Sequence, residues 1–370
     1  MELINHTLGS ILEYNVANDP DREFLVYPDR DLRLTYSQFN DRVNDIAKAF
    51  IHIGVKKDSK VGVWAMNVPD WLTYMFATAK VGAVLVTVNT NYKSAELEFI
   101  LQNADIHTLC ISKGYRDSNF VQMVYDLMPE LKIVDRKSFS NPKFPCLKNI
   151  VFMGHQKTKG MYTTSELISL GSNLSSEPLN EVEKSIDTHD VVNMQYTSGT
   201  TGFPKGVMLS HHNILNNGNT VGDCLGYTKN DRLLVCVPLF HCFGAVLALC
   251  AIVTHGGTMV MVEEFDPLAV LASIAKEKCT AVYGVPTMFI AELNHPMFDI
   301  FDLSSLRTGI MAGAPCPIES MKQVMERMNC RDIISVYGLT ETSPGMTATR
   351  VTDTPEIRAT TVGRAFPHVE

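Results

Sequence analysis

Apolar positions along the chain alternate between two spacings. Phe39, Val43, Ile46, Ala47, Phe50 and Ile51 recur three or four residues apart, which predicts an amphipathic helix, with Thr35 and Gln38 as a candidate capping box at its start. Lys60–Met66 and Val84–Asn89 are short β-rich runs. Between them, the apolar segment that opens with Pro69 and Asp70 predicts a buried helix. Further strand-like runs occupy His107–Ser112, Asp231–Pro238, Gly257–Glu264, Cys279–Pro286, Arg307–Gly313 and Asp332–Gly338. Most lead into helical patterns such as Pro267–Lys278 and Pro317–Met328. Continuous apolar strands alternating with helices predict an α/β architecture with largely parallel sheets.

The polar stretch Gly154–Asp190 breaks the apolar pattern and is the best internal boundary. It suggests a first α/β subdomain over residues 1–180 and a second over 181–350. The longest apolar segment, Phe243–Val253, is too short to span a bilayer, so no integral membrane segment is expected. No charged stretch followed by an apolar run marks a signal peptide at the N-terminus.

Composition narrows the function. The chain has 370 residues, 45% hydrophobic and 19% charged, with a formal net charge of −8. That is a folded chain with core enough for more than one subdomain. No Lys/Arg block stands out, which argues against a nucleic-acid partner. Nine scattered Cys without a CxxC pair read as reduced thiols of a cytoplasmic protein.

The densest candidate chemistry is the run from Tyr196 to Gly206, which holds Thr197, Ser198, Gly199, Thr200, Thr201, Gly202 and Lys205. Glycine-exposed backbone N–H groups, hydroxyls and one cation suit phosphate. Pro204 before Lys205 and Gly206 after it exclude the Walker A spacing. Strand-like runs on both sides, Val191–Gln195 and Gly206–Ser210, predict a hairpin-like loop.

Thr197–Gly206 matches throughout the signature [Ser/Thr]-Ser-Gly-[Ser/Thr]-Thr-Gly-x-Pro-Lys-Gly. With Val237–Gly244, Ala312–Pro315, Val336–Thr342 and Val362–Pro367 following in order, the sequence resembles the adenylate-forming superfamily of acyl-CoA synthetases, luciferases and peptide-synthetase adenylation domains. The resemblance covers essentially the whole chain. It implies a large N-terminal lobe of two stacked α/β subdomains plus part of a small β-barrel, beginning within residues 351–370. It further implies ATP and coenzyme A as substrates and Mg²⁺ as cofactor. A fatty acid is converted first to an acyl-adenylate and then to a thioester.

By the same resemblance, Ser198, Thr200, Thr201 and Lys205 contact the β- and γ-phosphates within the Thr197–Gly202 loop. Thr197 lies near the metal and Glu341 holds it. Tyr337 stacks on adenine, with Gly313, Ala314, Pro315, Gly338 and Leu339 around the nucleotide, and Thr340 touches the α-phosphate. His241 borders the reacting carboxylate and gates an acyl pocket that includes Phe243, Gly244, Gly313 and Gly338. A general-base role for His241 is not expected, because a carboxylate nucleophile is already ionised at neutral pH. Amino-acid-activating relatives carry an Asp at the place of His241, so the acid is expected to lack an α-amino group. Acetyl-CoA synthetases carry a Trp at the place of Gly338, so the glycine suggests a void open to medium or long acids; a purely backbone role for Gly338 is the alternative. Phe243–Val253 reads either as tunnel lining or as a packed helix. The family's Tyr-x-Thr-Gly-Asp segment and its C-terminal domain, whose Lys contacts the carboxylate, have no counterpart in the sequence, so this lobe alone is expected to be inactive in thioester formation. A noncatalytic nucleotide- or acyl-binding fragment and an aryl-acid-activating relative are the competing readings. A homodimer is left open.

Overall fold

The computed structural model describes residues 2–197 and 204–369. The chain divides into two compact units: one formed by residues 1–4, 14–37 and 213–370, the other by residues 5–13 and 38–212.

The second of these holds a seven-stranded sheet in the order Lys205–Ser210, Val191–Thr197, Val84–Thr87, Lys60–Trp64, Ile106–Ile111, Asn149–Phe152, Tyr162–Thr163. All neighbours are parallel except the first pair. The predicted helices run Tyr36–His52 and Pro69–Lys80. Every residue of Pro69–Lys80 is buried. Its two charges are satisfied inside the fold: Lys80 reaches Glu13 at 2.6 Å and Asn44 at 2.9 Å, and Asp70 pairs with Arg42 and accepts from Thr164 at 2.7 Å. A buried charge without such partners would be costly. The polar stretch Gly154–Asp190 carries two helices, Thr164–Ser172 and Glu177–Glu183. The first starts at a reciprocal capping box between Thr163 and Glu166.

The other unit holds a nine-stranded sheet. Six parallel strands form its centre, in the order Asp332–Gly338, Thr308–Ala312, Ala281–Gly284, Arg232–Val235, Thr258–Met261, Glu23–Tyr27. Leu32–Thr35 adds antiparallel at one edge; Gly345–Ala348 and then Arg364–Ala365 add antiparallel at the other. Buried Val, Ile, Leu and Met from these strands pack against helices Pro267–Glu277 and Ile318–Arg327. Residues 351–369 supply the short helix Pro355–Thr360 and the Arg364–Ala365 edge strand. No closed barrel is present among the described residues.

Strand order sets where a ligand fits. Arg232–Val235 is followed in sequence by its neighbour on one side, Thr258–Met261, whereas Ala281–Gly284, Thr308–Ala312 and Asp332–Gly338 build outward on the other. The order therefore reverses beside Arg232–Val235. In open parallel sheets such a reversal leaves a crevice outside the carboxyl ends of the strands.

Candidate adenylate site

A cavity of about 540 Å³ lies at those carboxyl ends. The exit from Arg232–Val235 contributes His241, Cys242, Phe243 and Leu247; the exit from Thr308–Ala312 contributes Gly313, Ala314, Pro315 and Cys316; Asp332–Gly338 ends in it with Tyr337 and Gly338. Pro344, Gly345 and Ala359–Val362 complete the wall. The structure thus brings together His241, Phe243, Gly313, Ala314, Pro315, Tyr337 and Gly338, which chain order scatters over about a hundred residues.

His241 sits at the start of a tight turn. Its carbonyl accepts the N–H groups of Gly244 and Ala245, both at 2.9 Å. Its ring Nδ1 accepts the Phe243 N–H at 3.1 Å, so in the neutral ring the proton sits on Nε2. His241 keeps an exposed surface, yet the protein packed around its ring disfavours the charged form and lowers its pKa below the ordinary imidazole value. A neutral Nε2–H donor is therefore the state at neutral pH. The backbone then widens into a π-helical turn over Phe243–Ala248 before continuing as Leu249–Thr254. Such turns concentrate at functional sites. Of the Phe243–Val253 run, only Phe243 and Leu247 line the cavity; the remaining side chains are buried in packing. The Phe243 ring stacks on Tyr283 with centroids 5.7 Å apart.

Tyr337 is 48% exposed, its ring presented as a flat surface at the cavity wall. Gly313 has φ +81°, which favours glycine. Past Gly338 the chain makes a short 3₁₀ turn, Thr340–Thr342. Leu339 N–H donates to the Pro344 carbonyl at 3.0 Å and the Thr342 hydroxyl donates to the same oxygen at 2.7 Å. Glu341 is exposed on this turn, and Thr340 Oγ1 lies 3.6 Å from Cys242 Sγ. Leu339, Thr340 and Glu341 stand beside the cavity residues in sequence but do not line the cavity, and neither does Gly244.

Two glycines carry a different meaning from the one their neighbours suggest. A Cβ on Gly338 would lie 1.8 Å from the Pro344 carbonyl oxygen. The position is therefore closed by backbone, and Gly338 marks a close approach of two chain segments, in place of the void expected for a missing indole. A Cβ on Gly244 would lie 2.4 Å from the Pro238 oxygen. Gly244 lets the turn close and does not face the cavity.

Thr197 and Lys205, near the two ends of the matched signature, lie in the other unit. Thr197 ends the strand Val191–Thr197 and pairs with Lys205, the first residue of Lys205–Ser210; Tyr196 pairs with Gly206. The two strands form the expected antiparallel hairpin, and Lys205 is exposed. Ser198, Gly199, Thr200, Thr201 and Gly202 lie outside the described residues. Among the described residues no cluster of three His, Cys, Asp or Glu side chains is placed to hold a metal.

Several lining residues were not singled out from the sequence: Cys316, Ser335, Pro344, Gly345 and Ala359–Val362. Val362 opens the matched segment Val362–Pro367, so a signal was present there. Nothing in the local pattern marks the others.

The profile of the family described as AMP-binding enzyme matches residues 12–370. The chain belongs to the AMP-binding enzyme family. It is 48% identical over 369 residues to the Bacillus subtilis (strain 168) protein named "Putative acyl-CoA synthetase YngI", covering all of this chain and 67% of that protein. It is 36% identical over 371 residues to the mitochondrial medium-chain acyl-CoA ligase ACSF2 of Danio rerio, covering 100% of this chain and 61% of the ligase. The fold matches the anthranilate CoA ligase AuaEII in complex with anthranoyl-AMP, with a TM-score of 0.84, 25% identity and coverage of 99% and 65%. The chain thus spans about three fifths to two thirds of the length of these AMP-binding relatives.

Proposed function

We propose that this chain is the nucleotide- and acid-binding lobe of an AMP-forming acyl-CoA synthetase that activates a medium- or long-chain fatty acid. The observation that carries the reading is the cavity itself. One wall exposes the flat Tyr337 ring and the Gly313–Pro315 backbone, while Phe243, Leu247, Val336 and Pro344 supply an apolar wall. The first suits adenine and the second an acyl chain. Among the described residues no carboxylate lines the cavity, so an α-ammonium group would find no partner in them. The name of the ACSF2 relative supports a medium-chain acid; the complex of AuaEII with anthranoyl-AMP makes an aryl acid the runner-up.

In this reading the substrate carboxylate attacks the α-phosphorus of ATP, a P–O bond forms, and pyrophosphate leaves. The thiolate of coenzyme A then takes the acyl group and releases AMP. The chain's own residues position and neutralise. Lys205 places one cation on the triphosphate, with Thr197 and the hydroxyls of Ser198, Thr200 and Thr201 as further contacts. Thr340 donates to the α-phosphate. His241 Nε2–H donates to the carboxylate. Glu341 would hold Mg²⁺ through its exposed carboxylate, with Thr197 near the ion. When bound, the ion offsets the charge that two approaching anions bring together.

Acid-dependent ATP–pyrophosphate exchange by the full-length protein that carries this lobe tests the proposal. Octanoate and dodecanoate are expected to stimulate exchange well above acetate, glycine and anthranilate. Exchange stimulated by anthranilate or by an amino acid alone would contradict it.

A further inference from the structure

The loop that carries Thr340 and Glu341 is held by a residue far from it in sequence. Asn217, on helix His211–Cys224, donates from Nδ2 to the Gly345 carbonyl at 2.7 Å and accepts the Gly345 N–H on Oδ1 at 3.0 Å. One side-chain amide thus engages both backbone groups of a single residue, as a neighbouring strand does in a hydrogen-bonded pair. Gly345 is buried, opens the strand Gly345–Ala348 and lies in the cavity wall. It also pairs with Gly338 at the other end of the loop. A Cβ on Gly345 would lie 2.5 Å from the Phe366 ring and 3.1 Å from Asn217 Oδ1, so the peptide is gripped between the two. From Gly345 the grip passes inward: Pro344 O receives Leu339 N–H and the Thr342 hydroxyl, and those two residues bracket Thr340 and Glu341.

We infer that Asn217 is a positioning residue, which fixes the Leu339–Gly345 loop so that Thr340 and Glu341 face phosphate in one arrangement. The part played by the loop rests on the adenylate-forming reading above; the clamp itself rests on the two hydrogen bonds. Loss of the amide strands one donor and one acceptor on a buried glycine, which frees the loop.

The test compares the protein with its Asn217→Ala and Asn217→Asp variants in two measurements. In amide hydrogen exchange, Asn217→Ala is expected to speed exchange in residues 339–346 by tenfold or more and leave Thr308–Ala312 unchanged. Asn217→Asp keeps the acceptor and loses the donor, so it is expected to fall between. In calorimetric titration, Asn217→Ala is expected to weaken AMP about tenfold and adenosine less than twofold, because adenosine does not reach the loop. Unchanged exchange in 339–346, or an equal loss for AMP and adenosine, overturns the inference; the second result is what a merely structural role produces. If the unsubstituted protein bound neither nucleotide, the adenylate reading would fail, and the exchange measurement alone would decide the clamp. If Asn217→Ala did not fold, the same two measurements on Asn217→Asp would decide it.

Discussion

Gly338 and Glu292 show how much a single position can settle. A methyl group on Gly338 meets the Pro344 carbonyl at 1.8 Å, well inside van der Waals contact, so backbone must move before any side chain fits. Gly338→Ala is therefore expected to weaken binding of stable acetyl-, octanoyl- and dodecanoyl-adenylate analogues alike, by tenfold or more. A loss confined to the long analogues would restore the view that Gly338 sets pocket depth. Glu292 is fully buried and its Oε2 has no hydrogen-bond partner among the described residues. Burial pushes its carboxyl up to about 8. The folded state thus prefers the protonated acid. The stabilisation is complete below the unfolded carboxylate value, near 4.5, and is lost as pH rises toward 8. Each pH unit crossed in that window costs about 1.4 kcal/mol. Glu292→Gln is expected to flatten this slope and raise the denaturation midpoint at pH 8. A variant whose stability fell with pH as steeply as before would contradict the assignment.

Elements differ in how far their role could be read in advance. The parallel strands Arg232–Val235, Ala281–Gly284, Thr308–Ala312 and Asp332–Gly338 are buried over most of their length, so each appears in the sequence as a mainly apolar run without strict alternation. Helices Thr164–Ser172 and Glu177–Glu183 were hidden, because few of their side chains are buried and the apolar period is weak; the Thr163–Glu166 capping box was the one readable sign. The π-helical turn at Phe243–Ala248 was likewise invisible, since its side chains are as apolar as those of any packed helix. What makes it is contact: Gly244 closes on Pro238 O. Gly244→Ala is expected to destabilise the protein by about 1–3 kcal/mol in denaturant unfolding, the usual range for forcing extra volume into a packed position. It is also expected to weaken adenylate binding by displacing His241 and Phe243. Unaltered stability and binding together would show that the turn tolerates a wider opening than its geometry implies.

For the molecule as a whole, family membership was legible because the Thr197–Gly206 signature and the Val336–Thr342 segment are local strings, whereas the cavity is a product of topology. Ala359–Val362 reach the wall because helix Pro355–Thr360 is pinned by Arg358, whose buried guanidinium donates to the carbonyls of Asp353, Arg331, Ile333 and Val351. No spacing in the sequence encodes that arrangement. Charge at this scale is unfavourable to an anionic substrate, with a net −8, so local cations must compensate. Lys205→Ala and Glu341→Ala, introduced in the full-length protein that carries this lobe, are accordingly expected to reduce pyrophosphate exchange for every acid in the same proportion. A change in preference between short and long acids would remove either residue from the triphosphate. In the proposed function one cavity takes both the nucleotide and an apolar acyl chain. The most direct test is calorimetric titration with AMP and with stable acyl-adenylate analogues of increasing chain length. Affinity is expected to exceed that of AMP and to rise from the acetyl to the octanoyl analogue, by up to about 0.8 kcal/mol for each buried methylene. An affinity equal to that of AMP at every chain length would contradict it.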